Sequence, residues 1–253
     1  MGATKSKWRG NQLAFFDGTT YETVESMSPI YVYDDFLGYD VAKTNGQFLN
    51  LNSLTDSFWT IAIAAVAGAP TVQKLLNNCV LHIAANVETE DAGIYSDTLV
   101  FNIDKGPILE ARIDVSVLPT DVAEMHIGFQ GEVHVADDQV AAADDIDYHI
   151  FFVLDGSGVV TIYTDSHVAG GHNTAIATGV TAAPGTYNVY RIDCTNAADV
   201  KFYIDGVGVA TGTTFDLSNG TMMLMPNFMV TKAGGAGLGD MKIDYVRIWQ
   251  ATR

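Results

Sequence analysis

The stretch from Tyr187 to Gln250 constrains the fold more than any other. Tyr190, Ile192 and Cys194 alternate with Arg191 and Asp193, and Val200, Phe202 and Ile204 alternate with Lys201, Tyr203 and Asp205. A period of two cannot lay an apolar stripe along a helix, whose repeat is about 3.6 residues. It builds strands with one face buried and the other wet. Asp205-Gly206 follows the second run, and Asp-Gly supplies the positive φ angles of a tight hairpin. Met241-Lys-Ile-Asp-Tyr-Val-Arg-Ile-Trp-Gln250 then closes the pattern.

The same reading extends towards the N-terminus. Strands are predicted over 30–36, 58–64, 72–76, 79–86, 99–103, 108–117, 122–129, 148–154, 159–163, 174–178 and 222–230. Clusters of Gly, Pro, Asn and Asp separate them. Many short strands without a long helical period argue an all-β, antiparallel sandwich. The Ala-rich run 62–69 has room for a helical turn, and 49–56 reads as a loop. The Gly-rich run 234–239 lacks a following helix, so it is a connection between strands and not a phosphate cradle.

Ahead of the sandwich lies an arm. Residues 1–11 are polar and basic, and Leu13-Ala-Phe-Phe16, Asp17-Gly18 and Thr19-Thr-Tyr-Glu-Thr-Val24 predict a small β-hairpin. Pro29 separates it from the first sandwich strand. The chain thus divides into an arm, 1–28, and a sandwich, 29–253. Trp8, Phe15, Phe16, Tyr21 and Met27 form a large apolar payload for so short a segment. They dock on the sandwich or on another subunit, and they are the candidate interface residues.

Composition narrows the function. Charged residues make up 17% and hydrophobic residues 48%, which suits a packed globular chain. Thirty acidic residues against thirteen basic ones give a net charge of −17. Such a chain is repelled by nucleic acid. The acidity fits a solvated surface or carboxylates gathered around divalent cations, and the former is the simpler reading. Lys5, Lys7 and Arg9 precede an apolar run of only Leu13–Phe16, too short for an export signal, and no apolar run is long enough to span a membrane. Synthesis and folding in a cytoplasm are expected. Cys79 and Cys194 read as buried free thiols, with a mutual disulfide as the alternative.

The layout of the C-terminal region resembles the end of a concanavalin A-like (laminin G-like, lectin/glucanase) jelly roll. Tyr190-Arg-Ile192 leads to Lys201-Phe-Tyr-Ile-Asp-Gly206, and the domain closes on Asp244-Tyr-Val-Arg247. The resemblance covers roughly 30–250 and implies a jelly-roll β-sandwich. The fold hosts lectins, glycosidases and inert virion parts alike, so function has to come from the site. A narrower combination joins Phe15-Phe-Asp-Gly-Thr-Thr-Tyr-Glu-Thr-Val24, Asp34-Asp-Phe-Leu-Gly38, Glu110-Ala-Arg-Ile-Asp-Val-Ser-Val-Leu-Pro-Thr120 and Asp244-Tyr-Val-Arg-Ile-Trp-Gln250. It is similar to auxiliary virion proteins of tailed bacteriophages. That likeness implies a non-enzymatic capsid decoration or other structural protein, assembled in the host cytoplasm. Its partners would be its own copies and a capsid or other virion protein. A carbohydrate-binding module that contacts surface glycans is the alternative, and a laminarinase-like glycosidase is the third reading.

The glycosidase reading rests on Leu109-Glu-Ala-Arg-Ile113, which resembles a strand of laminarinase-like β-glucanases. There a later strand carries Glu-x-Asp-x-x-Glu, whose first and last carboxylates act as nucleophile and acid/base. Here Glu132, His134 and Asp137 fall at that spacing. The pattern is broken at two of its three places, so no catalytic residue is assigned. The resemblance also implies that Asp244 ligates a structural calcium with backbone carbonyls near the first strand, where Asp34 or Asp35 would neighbour it. A salt bridge or strand-end hydrogen bond competes with that role. Asp137, Asp138, Asp144, Asp145 and Asp147 lack the spacing of an EF-hand and read as a solvated loop before a calcium loop. Beyond calcium no cofactor is expected. Tyr163, His167, His172 and Asn173 flank Gly170-Gly171 in a loop able to touch sugar or simply to connect. Met222, Met223, Met225 and Met229 read as core filling before a partner surface.

Overall fold

The structure is a computed structural model. It describes residues 4–9, 12–17, 31–36, 58–65, 70–75, 78–86, 89–96, 99–120, 123–131, 148–165, 172–218, 222–232 and 234–250. In chain order the strands are β1 (Thr4–Arg9), β2 (Gln12–Asp17), β3 (Tyr31–Asp34), β4 (Thr60–Ala65), β5 (Thr71–Leu75) and β6 (Asn78–Ile83). Then come β7 (Glu90–Tyr95), β8 (Phe101–Asn102), β9 (Pro107–Val117), β10 (Ala123–Gln130), β11 (His149–Leu154) and β12 (Val159–Asp165). The last six are β13 (Asn173–Thr181), β14 (Tyr187–Asp193), β15 (Lys201–Ile204), β16 (Val207–Val209), β17 (Met223–Lys232) and β18 (Gly239–Gln250).

All pairings are antiparallel; β1 and β2 form a two-stranded sheet, and the other strands form two large sheets. The first has the order β13-β12-β11-β10-β17-β7-β4, with β8 on β17. The second has the order β16-β15-β14-β9-β18-β6-β5, with β3 on β18. Between them lies one core. On β9, Leu109, Ala111, Ile113 and Val115 point into it, while Glu110, Arg112 and Asp114 alternate outwards. Phe152 meets Tyr190 and Phe202 edge-on at 5.3 Å, so the first sheet locks to the second through aromatic contacts. Asp205 and Gly206 take positive φ, 51° and 76°, in the turn between β15 and β16. The Asp205 carboxylate also accepts from Val189 N at 2.7 Å and Asn188 Nδ2 at 2.7 Å, tying the turn to β14.

Several expectations are corrected. In the N-terminal arm a strand pair not anticipated from sequence is present. Gln12–Asp17 pairs with Thr4–Arg9, Trp8 opposite Leu13 and Arg9 opposite Gln12. The predicted second strand, 19–24, lies outside the described residues. Residues 62–65 belong to β4, not to a helical turn. The strand predicted over 99–103 shrinks to β8, because Asn102 Oδ1 caps a 3-10 turn, Ile103–Lys105, by accepting from Asp104 N at 2.8 Å. That is the only helical segment among the described residues, and no helix in them is long and apolar enough to cross a membrane. Finally, β7 was not anticipated, although it sits inside the first sheet between β17 and β4.

Three connections between the sheets, β6–β7, β9–β10 and β17–β18, meet at one end of the sandwich. Thr120 N donates to Leu238 O at 3.1 Å, and Leu238 N donates to Thr120 Oγ1 at 3.1 Å. A Cβ at Gly237 would stand 2.5 Å from Thr120 O, so only glycine lets the two connections approach. Lys232, at the end of β17, closes the same end from inside through Ala84, Asn86 and Gly237.

Candidate functional site

The face of the first sheet that points away from the core is the candidate site. Register arranges it in rungs across the strands. Asp165, His149, Gln130 and Met225 form one; Tyr163, Phe151, Gly128, Asn227 and Tyr95 the next. Then come Thr161, Val153, His126, Met229 and Gly93, and last Glu124, Thr231 and Asp91. The face is dry over much of its area: His126, His149, Phe151, Gln130, Asn227 and Met229 are all buried.

Its centre is an aromatic stack. His126 lies on Phe151 at 5.2 Å, and His149 lies on the same ring at 5.6 Å, nearly parallel. The residue of β10 facing Phe151 is Gly128. His126 Nε2 is 3.6 Å from Glu124 Oε2, and among the described residues its Nδ1 has no hydrogen-bond partner. Burial, with the Glu124 and Asp155 carboxylates nearby, pushes the Tyr163 phenol above its ordinary range. At the margin, Asp165 Oδ2 pairs with His172 Nδ1 at 3.0 Å, and Asn173 Nδ2 donates to Thr164 Oγ1 at 3.1 Å. Thus Tyr163, His172 and Asn173, singled out from sequence, do share one region, while His167 lies outside the described residues. Of the methionines, Met222 fills the core, and Met225 and Met229 are buried on this outer face instead.

Carboxylates on this face are separated or engaged. Asp91 accepts a hydrogen bond from Thr231 Oγ1, and Thr231 stands between Asp91 and Glu124 in the rung. Two strand spacings place those backbones about 9–10 Å apart. Retaining hydrolysis of a glycosidic bond needs its two carboxyl groups about 5 Å apart. Glu132, His134 and Asp137 fall outside the described residues, as do the aspartates up to Asp147.

The opposite face, on the second sheet, carries paired charges and rings. Arg247 Nη2 meets Glu110 Oε1 at 2.7 Å, and the Tyr245 hydroxyl donates to that same oxygen at 2.9 Å. Burial first, and then Glu110, push the Tyr245 phenol up to about 12. Arg112 lies 4.3 Å over the Tyr187 ring, and Trp249 lies between Arg191 and Arg247. Asp244 sits at a break of register where β18 bulges against β9, and it pairs with Arg112. Asp34 faces elsewhere: its Oδ1 accepts from Phe36 N at 2.8 Å and its Oδ2 from Trp59 Nε1 at 2.9 Å. Among the described residues no group of three or more His, Cys, Asp or Glu side chains is placed to hold a metal ion.

No protein-family model matches the chain, and no curated protein matches it. Solved structures do. The Emp46p carbohydrate recognition domain, in its potassium-bound form, superposes with a TM-score of 0.53 at 8% identity, over 88% of this chain and 100% of that one. The endo-β-1,3-glucanase from Pyrococcus furiosus gives 0.54 at 12% identity, over 97% of each chain. LamAcat from Zobellia galactanivorans gives 0.55 at 16% identity, over 89% of this chain and 99% of that one.

The fold is a concanavalin A-like jelly roll.

Apart from β7, the strands that carry this face are legible in the sequence, but the stack at its centre is not. His126 is one of six scattered histidines, and nothing local links it to Phe151 across the β10–β11 connection.

The Asp244–Arg112 pair yields a test. Both side chains are partly exposed, so Asp244→Ala is expected to change unfolding free energy by no more than about 1 kcal/mol. Tm should be read for both proteins with and without a chelator. A chelator-induced fall in Tm that the substitution abolishes would assign Asp244 to a metal instead.

Proposed function

We propose that this jelly roll is a non-catalytic structural protein of a tailed-phage particle, assembled in the host cytoplasm. Its N-terminal hairpin joins it to neighbouring copies and to a capsid or other virion protein. The observation that carries this reading is that β1 and β2 form a two-stranded sheet of their own. Two strands alone are marginal in water and need a third strand or a packed surface to persist. The arm also places Lys5, Lys7 and Arg9 at alternate positions in a chain of net charge −17, so an acidic second copy attracts it. Trp8, Phe15, Phe16, Tyr21 and Met27 supply apolar area for such a contact, at about 1.5–3 kcal/mol for each large side chain a partner buries.

Deleting residues 1–28 is expected to leave a folded sandwich that sediments as a monomer and no longer enters particles, while the full chain assembles. A truncated chain that unfolds, beside a full chain that is monomeric, would return the arm to its own core and sink the proposal.

Sugar binding is the second reading, favoured by the His126–Phe151–His149 stack on the outer face. Glycan binding that Phe151→Ala abolishes would put it first. For hydrolysis, the Glu132, His134 and Asp137 pattern is broken at two of its three places, so laminarin and lichenan should release no reducing ends. Release that Glu132→Gln stops would overturn that.

A further inference from the structure

Lys232 presents an arrangement that a simple ion pair does not account for. Its Nζ donates to Ala84 O at 2.6 Å, Asn86 O at 2.9 Å, Asn86 Oδ1 at 3.0 Å and Gly237 O at 3.0 Å. Glu90 Oε2 stands 3.3 Å away, and both charged side chains are fully buried. An ammonium has three protons, yet five oxygens from four residues converge on this one. Glu90 does not collapse onto it. Its Oε2 accepts from Ala84 N at 2.9 Å and its Oε1 from Asn86 Nδ2 at 2.6 Å. The carboxylate is thereby fixed as one wall of the enclosure and is not pulled in as a mobile counter-ion.

Four carbonyl-type oxygens and one carboxylate around a single positive charge are the donor set of a bound cation, here tethered to the chain. Size decides which cation. Calcium takes its oxygens at about 2.3–2.6 Å and magnesium at about 2.0–2.1 Å. Four of the five oxygens stand at 2.9 to 3.3 Å, too distant for either, and suit an ion as large as ammonium or potassium.

We propose that Ala84, Asn86, Glu90 and Gly237 form a monovalent-cation site that Lys232 fills from within. The tethered ammonium joins the β6–β7 and β17–β18 connections, as a free ion would. In the native chain the site is closed to ions from solution. Shortening residue 232 opens it to them.

The test uses the full chain with Lys232→Ala. Thermal unfolding is read in potassium, ammonium, sodium, calcium and tetramethylammonium chlorides at matched ionic strength. The variant should be stabilised by potassium or ammonium relative to tetramethylammonium, by roughly 3–6 °C at an ion concentration near ten times Kd. Wild type should show equal Tm in those three salts. Lys232→Met fills the space without charge and should show no ion preference. A Lys232→Ala protein with one Tm in all five salts overturns the proposal, as does calcium outdoing potassium and ammonium. Should that variant fail to fold, it is refolded in each salt. Recovery confined to potassium or ammonium supports the site, and recovery in none overturns it.

Discussion

Glu90→Ala is expected to lower the free energy of unfolding by about 3–5 kcal/mol. Glu90 is fully buried with Lys232 as its charge partner, and removing it strands an ammonium away from water with no counter-charge. Two further donors, Ala84 N and Asn86 Nδ2, lose their acceptor. Domains hold only about 5–15 kcal/mol in total, so a large share of stability is at stake. Urea unfolding measures it through the midpoint at constant slope. Glu90→Leu with Lys232→Met removes both charges together and should cost less than the sum of the two single changes. Costs that simply add, or a Glu90→Ala loss below about 1 kcal/mol, would mean that the pair is not coupled in the folded protein.

Gly128→Ala should be comparably severe. A Cβ there would lie 2.0 Å from Ile150 O and 3.0 Å from Ile192 Cδ1. The first clash is with backbone of the paired strand, and the second is with a core side chain of the other sheet. Neither can step aside without separating β10 from β11 or opening the core. The loss of stability is expected at or above the roughly 3 kcal/mol that marks the upper end of overpacking, and the stacking of His126 on Phe151 should break with it. Gly212→Ala is the control. Nothing lies within 4 Å of a Cβ at that position, and its effect should stay within about 0.5 kcal/mol. Equal stability of the two variants would show that β10 and β11 do not approach so closely.

The strands at the C-terminal end were legible because each has one face in the core and one in water, so charge alternates with apolar bulk along β9, β14, β15 and β18. β7 was hidden for the opposite reason. Glu90 and Asp91 are charged and buried, and what makes that tolerable is supplied by Lys232 and Thr231, the latter 140 positions from Asp91. No local pattern announces a strand whose polarity is cancelled by distant residues. The same limit applies to the stack of His126, Phe151 and His149, which exists only through the register of β10 on β11. Asp244 was legible as a residue with a partner, but the partner in the structure is an arginine 132 positions away.

The two thiols have a practical consequence. Cys79 and Cys194 are both free and fully enclosed, and burial raises each thiol far above the range in which thiolate forms. With two cysteines in the whole chain, both enclosed, the native fold offers thiol reagents no exposed sulfhydryl. Val207, 67% exposed beside the Asp205-Gly206 turn, is a place where Val207→Cys would give such a reagent one exposed thiol. A dye or crosslinker can then be set at one chosen point, without first stripping the protein of its own sulfur, to report which neighbour each copy touches.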